Sequence, residues 1–213
     1  MKSKIFFILS VVLTLFGASF STKAASSLGV AGGYARGINS DLHGSMKTSA
    51  SHGVLGVNYL YDFTCDSLRD ICSDTFFEAR FSWLTPKTYE FSGVRLESGQ
   101  LGGYTEKYST YAFTVGVRKH FYLSESAYAI GGGGLAIDWV NISDADLVDV
   151  LGNPVNFEIN GSGMQVGLSP TLGFGFELSH KLSLEALAST RYYFGTGFDQ
   201  TFFEFPLFLR FKF

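Results

Sequence analysis

Beyond its first two dozen residues the chain lacks any apolar run of about 18 residues, the length that a transmembrane helix demands. Helical membrane spans are therefore excluded there. Charge is scarce too. Asp, Glu, Lys and Arg make up only 16% of the chain, well below what a soluble surface carries. A positive excess is also missing. With Lys2, Lys4 and Lys23 set aside as part of the N-terminal segment described below, 13 Lys+Arg stand against 19 Asp+Glu, a net of −6. That balance offers no positive field to a phosphate backbone and excludes nucleic acid as a partner. Cysteine is nearly absent. Cys65 and Cys72 stand in TCDSLRDIC without a nearby His or third Cys to complete a zinc site, so no metal and no other cofactor is expected. Of four prolines, Pro170 and Pro206 fall in strand-like stretches, where they mark bulges or strand margins.

What is present begins with an address. Lys2 and Lys4 precede an apolar run from Ile5 to Gly17, followed by the small residues Thr22, Ala24 and Ala25. This reads as a secretory signal peptide, residues 1–24, with cleavage after Ala24 and a mature domain at 25–213. Export to an oxidising compartment predicts a Cys65–Cys72 disulfide.

The rest is rich in apolar residues, 46% of the chain with 22 Phe and 11 Tyr, but they alternate instead of clustering. Period-2 alternation marks a strand with two unlike faces. It occurs in eight segments. SLGVAGGYARG sets Leu28, Val30 and Tyr34 against Gly29, Ala31, Gly33 and Ala35. VLGVNYLYDF sets Leu55, Val57, Tyr59, Tyr61 and Phe63 against Gly56, Asn58 and Asp62. TFFEARFSWL sets Phe77, Ala79, Phe81 and Trp83 against Glu78, Arg80 and Ser82. STYAFTVGVRK sets Tyr111, Phe113, Val115 and Val117 against Thr114, Gly116 and Arg118. The fifth, AYAIGGGGLAIDW, has no assignable phase, because its four glycines allow a bulge. GMQVGLSPTLGFGFELS, LSLEALASTRYY and the terminal FEFPLFLRFKF complete the set.

One face is greasy and aromatic, and the other is small, polar or charged. A soluble sandwich would bury the greasy face, whereas an outer-membrane barrel turns it to lipid. The second reading is favoured on three grounds. The polar face is mostly Gly, Ala, Ser and Thr, which suits a narrow interior. Aromatics recur near strand ends, as at membrane interfaces. Long connections (38–51, 86–107, 141–161 and a shorter 194–201) alternate with short ones. The predicted fold is all-β, an eight-stranded antiparallel up-and-down transmembrane β-barrel, because only closure leaves no strand edge in lipid.

The inward face then carries Asp62, Glu78, Arg80, Arg118, Glu177, Glu185, Arg191, Glu204, Arg210 and Lys212. Unpaired charge is costly in a poorly hydrated bore, so these groups should pair across it. The predicted network comprises Glu78, Arg80, Arg118, Glu185, Arg191 and Arg210, and it closes the bore to general diffusion.

The signal peptide, the eight segments, the mid-chain stretch YAFTVGVRKHFYLSESAYAIGGGG and the final Phe213 together resemble the small outer-membrane barrels of Gram-negative bacteria, the OmpA/OmpX-like outer-membrane β-barrel domain family. The resemblance covers the whole mature chain. It implies a monomer in the outer membrane, surrounded by lipid and lipopolysaccharide, with loops at the cell surface and termini in the periplasm. It also implies delivery by periplasmic chaperones to the barrel-assembly machinery, with Phe213, Phe211 and Leu209 as the assembly signal.

Architecture of this kind is shared by proteins of different roles. The reading favoured here is a structural or surface-interaction barrel, not an enzyme. The apolar residues Tyr89, Phe91, Leu101, Tyr104, Leu147, Val148, Val150, Leu151, Val155 and Phe157 in the long connections form either a binding surface or an extension of the strands. Two alternatives are a lipid A-modifying enzyme using Asp41, His43 and Ser45, and a small low-conductance channel. Asp144, Asp146 and Asp149 lack the spacing of an EF-hand loop and read as a solvated acidic loop.

Overall fold

A computed structural model describes residues 26–40, 47–62, 74–95, 101–148, 154–155, 161–194 and 200–213. Eight long strands follow in chain order: β1 (Ser26–Ser40), β2 (Lys47–Asp62), β3 (Thr75–Arg95), β4 (Leu101–Tyr122), β5 (Ala127–Val148), β6 (Gly161–Ser179), β7 (Leu182–Phe194) and β8 (Gln200–Lys212). Each pairs antiparallel with the next, and β8 pairs with β1, so the sheet closes on itself. A two-residue strand, Pro154–Val155, pairs with the upper end of β5. At the seam the Phe213 amide donates to the Ser26 carbonyl at 3.0 Å, and the Ser26 amide donates to that of Phe213 at 3.3 Å.

The register sets the width. Followed strand by strand, Ser26 faces Tyr61, then Phe77, Val117, Gly133 and Pro170. Thr190 stands level with Pro170, faces Phe203, and Phe203 faces Arg36. The circuit leaves β1 at Ser26 and returns at Arg36, ten residues on. Eight strands with such a stagger enclose a bore that side chains fill.

The alternation places the two faces as expected. Leu28, Val30, Leu55, Val57, Phe77, Phe81, Val117, Leu172, Phe174 and Phe205 are exposed on the outside. Trp83, Tyr111 and Trp139 lie side by side on β3, β4 and β5 and cap this band at its upper edge. The fifth segment now has a phase. Leu135, Ile137 and Trp139 face out, while Tyr128, Ile130, Ala136 and Asp138 are buried inside. Its glycines carry no bulge, since the register runs unbroken from Gly131 to Gly134 against both neighbours. They allow close approach instead: a Cβ on Gly134 would stand 2.2 Å from the Val115 carbonyl oxygen.

Three expectations are corrected. The segments 86–107 and 141–161 are not simply loops but, as the second of the two readings of their apolar residues had it, extend the strands: the β3–β4 ladder continues to Arg95–Leu101, and β5 reaches Val148. A register shift between Leu84 and Lys87, at Pro86, resets the alternation, so Tyr89 is buried instead of lining an exposed loop. Pro170 and Pro206 sit in mid-strand, not at margins. The β6–β7 ladder skips from Leu168 to Thr171 and the β7–β8 ladder lapses beside Pro206, which fits a residue with no N–H to donate.

Candidate functional site

The lumen is built in layers. Glu185, from β7, gathers the lower network. Arg210 grips it with two bonds, Nε to Oε1 at 2.8 Å and Nη2 to Oε2 at 2.6 Å. Arg118 Nη1 donates to Glu185 Oε2 at 2.7 Å and Nη2 to Glu78 Oε1 at 2.5 Å. Tyr128 donates to Glu185 at 3.0 Å, and Asn58 joins Glu78 at 3.0 Å to Arg210 at 3.1 Å. Planar guanidinium forks suit such two-oxygen contacts. The upper network has Arg191 donating to Asp138 at 2.5 Å and to Glu204, with Tyr193 also donating to Asp138.

Arg80 belongs to neither network. It is 1% exposed, and among the described residues its Nη2 reaches only the hydroxyls of Ser169 and Thr171, at 3.3 and 3.5 Å. Glu78 and Glu204 attract its charge, and Arg191 and Arg118 repel it. Four buried guanidiniums (Arg80, Arg118, Arg191, Arg210) thus share the bore with four buried carboxylates (Glu78, Asp138, Glu185, Glu204). Apolar clusters interleave with them: Leu187 and Phe208, each lying between a lower and an upper charge along its own strand, pack with Tyr128 and Ile130, while Ala35, Val54, Leu84 and Phe202 pack together beside Arg191.

Of the six predicted network residues, Glu78, Arg118, Glu185 and Arg210 meet in one group, Arg191 stands in the other, and Arg80 lies apart from both. Lys212 pairs with Glu177 at the lower rim. Asp138 was missed, yet Leu135, Ile137 and Trp139 alternate just around it and give the phase that the glycines hide. Phe211 and Phe213 face outward at the closing seam, with Leu209 partly covered on the same face. Asp41, His43, Ser45, Cys65, Cys72 and Asp149 lie outside the described residues, and Asp144 and Asp146 fall within β5.

Above the aromatic row the wall divides. The β2–β3 ladder ends at Val54–Leu84 and the β5–β6 ladder at Ile142–Gly161, so β3, β4 and β5 continue as a three-stranded sheet. Its inner face packs Tyr89, Tyr108, Val140 and Ile142 against Ala50 of β2. Glu106 is buried on this face. Burial pushes its carboxyl up, partly offset by the hydroxyl that Tyr108 donates. His52, on β2, touches Tyr89 and Phe202, and burial lowers its pKa despite its bond to the Thr85 carbonyl.

Comparison with solved structures fits this geometry. Neisserial surface protein A aligns with a TM-score of 0.57 at 12% identity, over 89% of this chain and 97% of that one. The chain has the fold of the small outer-membrane barrels. The barrel also aligns with Ail, the attachment invasion locus protein of Yersinia pestis, solved with the heparin analogue sucrose octasulfate (TM-score 0.52, 16% identity, 89% of this chain and 99% of that one). The outer-membrane protein OprG from Pseudomonas aeruginosa gives 0.52 at 14% identity, over 88% and 96%. No protein-family profile matches the sequence, and no curated protein matches it significantly.

Proposed function

We propose that this barrel sits in the outer membrane of a Gram-negative bacterium, is closed to general diffusion, and acts through its extracellular sheet as a structural or surface-interaction protein. The observation that supports this reading most is the filled lumen: balanced buried charges interleaved with two apolar clusters. A bore so filled leaves the outside of the molecule as its working surface. In this reading the seam of Ser26 and Phe213 faces the periplasm, and the β3–β4–β5 sheet stands clear of lipid and lipopolysaccharide. The protein is a monomer, assembled by the barrel-assembly machinery after periplasmic chaperones deliver it, and it catalyses no reaction.

Planar bilayers test the closure. Purified protein should show only small, intermittent conductance, and Glu78→Ala should raise it or destabilise the barrel by taking from Arg118 one of its two carboxylates. A stable, large, ohmic conductance would refute the closed lumen. Lipid A profiles from cells with and without the protein should be identical; a changed profile would make it an enzyme.

A further inference from the structure

Along its β3 edge the three-stranded sheet is tied to the rest of the wall by side chains, not by a ladder, while on its β5 edge the ladder to β6 runs up to Ile142–Gly161. Above Val54–Leu84, among the described residues, β2 pairs only with β1, and β3 only with β4. Across this split the Gly53 amide donates to Thr85 Oγ1 at 2.8 Å. His52 spans it with both ring nitrogens: Nδ1 lies 2.9 Å from the Thr85 carbonyl oxygen and Nε2 2.6 Å from the Tyr89 hydroxyl. A carbonyl only accepts, so Nδ1 carries the proton. Nε2 then accepts from Tyr89. The hydroxyl is seated in the space of a missing side chain, since a Cβ on Gly37 would stand 2.3 Å from it.

We propose that His52 is a proton-operated latch, closing the β3–β4–β5 sheet over the mouth of the barrel when neutral and releasing it when charged. Protonation takes away the lone pair that Tyr89 donates to. It also places a cation on a ring wedged between Tyr89 and Phe202. The charged groups around it do not compensate. Lys87, on β3, repels it. Glu204, on β8, attracts it but is already held by Arg191. Glu106, on β4 opposite Tyr89, is engaged by Tyr108, and burial favours its uncharged form. From β1, among the described side chains, the uncharged Ala35 and Gly37 are presented.

The sign is fixed by burial. The folded pKa of His52 lies below its ordinary 6.5, so the latch is whole above that pH and weakens as pH falls below it. The ratio of open to closed sheet should rise up to tenfold per pH unit in that interval. Opening exposes Tyr89, Tyr108, Val140 and Ile142, so an apolar surface becomes available only under acid conditions.

The test uses the folded protein in detergent micelles. Nitrogen NMR of His52 should show the Nδ1–H tautomer at pH 7.5 and a midpoint below 6.5. Amide exchange, corrected for intrinsic rate, should show Gly53 losing protection at least tenfold between pH 7.5 and 5, while the mid-wall amide of Phe81 keeps its own. His52→Gln should abolish that pH dependence. Should this variant not fold, Tyr89→Phe serves instead, lowering Gly53 protection at pH 7.5 and moving the His52 midpoint upward. An Nε2–H tautomer, a midpoint at or above 6.5, unchanged Gly53 protection, or a pH response that survives His52→Gln would each overturn the latch.

Discussion

Glu185 receives more of the lumen's donors than any other carboxylate described, with Arg118, Arg210 and Tyr128 all directed at it. Removing it leaves two buried guanidiniums short of a partner. Glu185→Ala should therefore cost about 3–5 kcal/mol, read from the urea midpoint of the barrel in detergent. Arg80→Met is the useful contrast. It gives up only two long hydroxyl contacts, and the cost of burying a cation goes with them, so it should cost about 1 kcal/mol or less. Equal losses for the two variants would show that Arg80 is held by ion pairing after all. Glu106 makes a pH prediction. Its carboxyl is raised by burial, so its contribution to the upper sheet is intact below the ordinary carboxylate pKa. That contribution is lost as pH climbs through the raised value. Glu106→Gln should slow amide exchange in the sheet at pH 7, with little effect at pH 4.

At the scale of strands, the closing pair is the most exposed to test. Deleting Phe213 removes both backbone bonds to Ser26. The yield of protein in the outer membrane should fall further than the yield of refolding in detergent, and normal outer-membrane yield would contradict an assembly role for this residue. The strands were legible where alternation is clean. β1, β2, β4, β6, β7, β8 and the lower half of β3 declare their faces through residues such as Leu55, Val57, Phe81, Val117 and Phe174. They stopped being legible where the backbone departs from a plain ladder. Four glycines, with no side chains to alternate, hid the phase of β5 and with it Asp138. The register shift at Leu84–Lys87 reversed the faces of upper β3, so Tyr89 looked like a loop residue and the His52 contact had no signature in sequence. Pairing partners inside the lumen depend on which residues oppose each other across the bore, and that follows from the stagger, not from any single strand.

At the scale of the molecule, an apolar exterior and a closed ladder predict bulk behaviour. The protein should stay with membranes through carbonate extraction and migrate differently on gels before and after boiling. Recovery as a soluble monomer would remove the membrane reading. The circuit from Ser26 to Arg36 has a further meaning. Strand number and stagger are whole numbers, so the circumference cannot stretch by small amounts. Widening it would mean sliding a strand by two residues to keep its faces, breaking every bond along that seam at once. The wall is thus a hoop of fixed size, and permeability belongs to the side chains inside it. Shortening Phe202 or Leu84 would change the passage while leaving the hoop untouched, which makes the bore tunable one residue at a time.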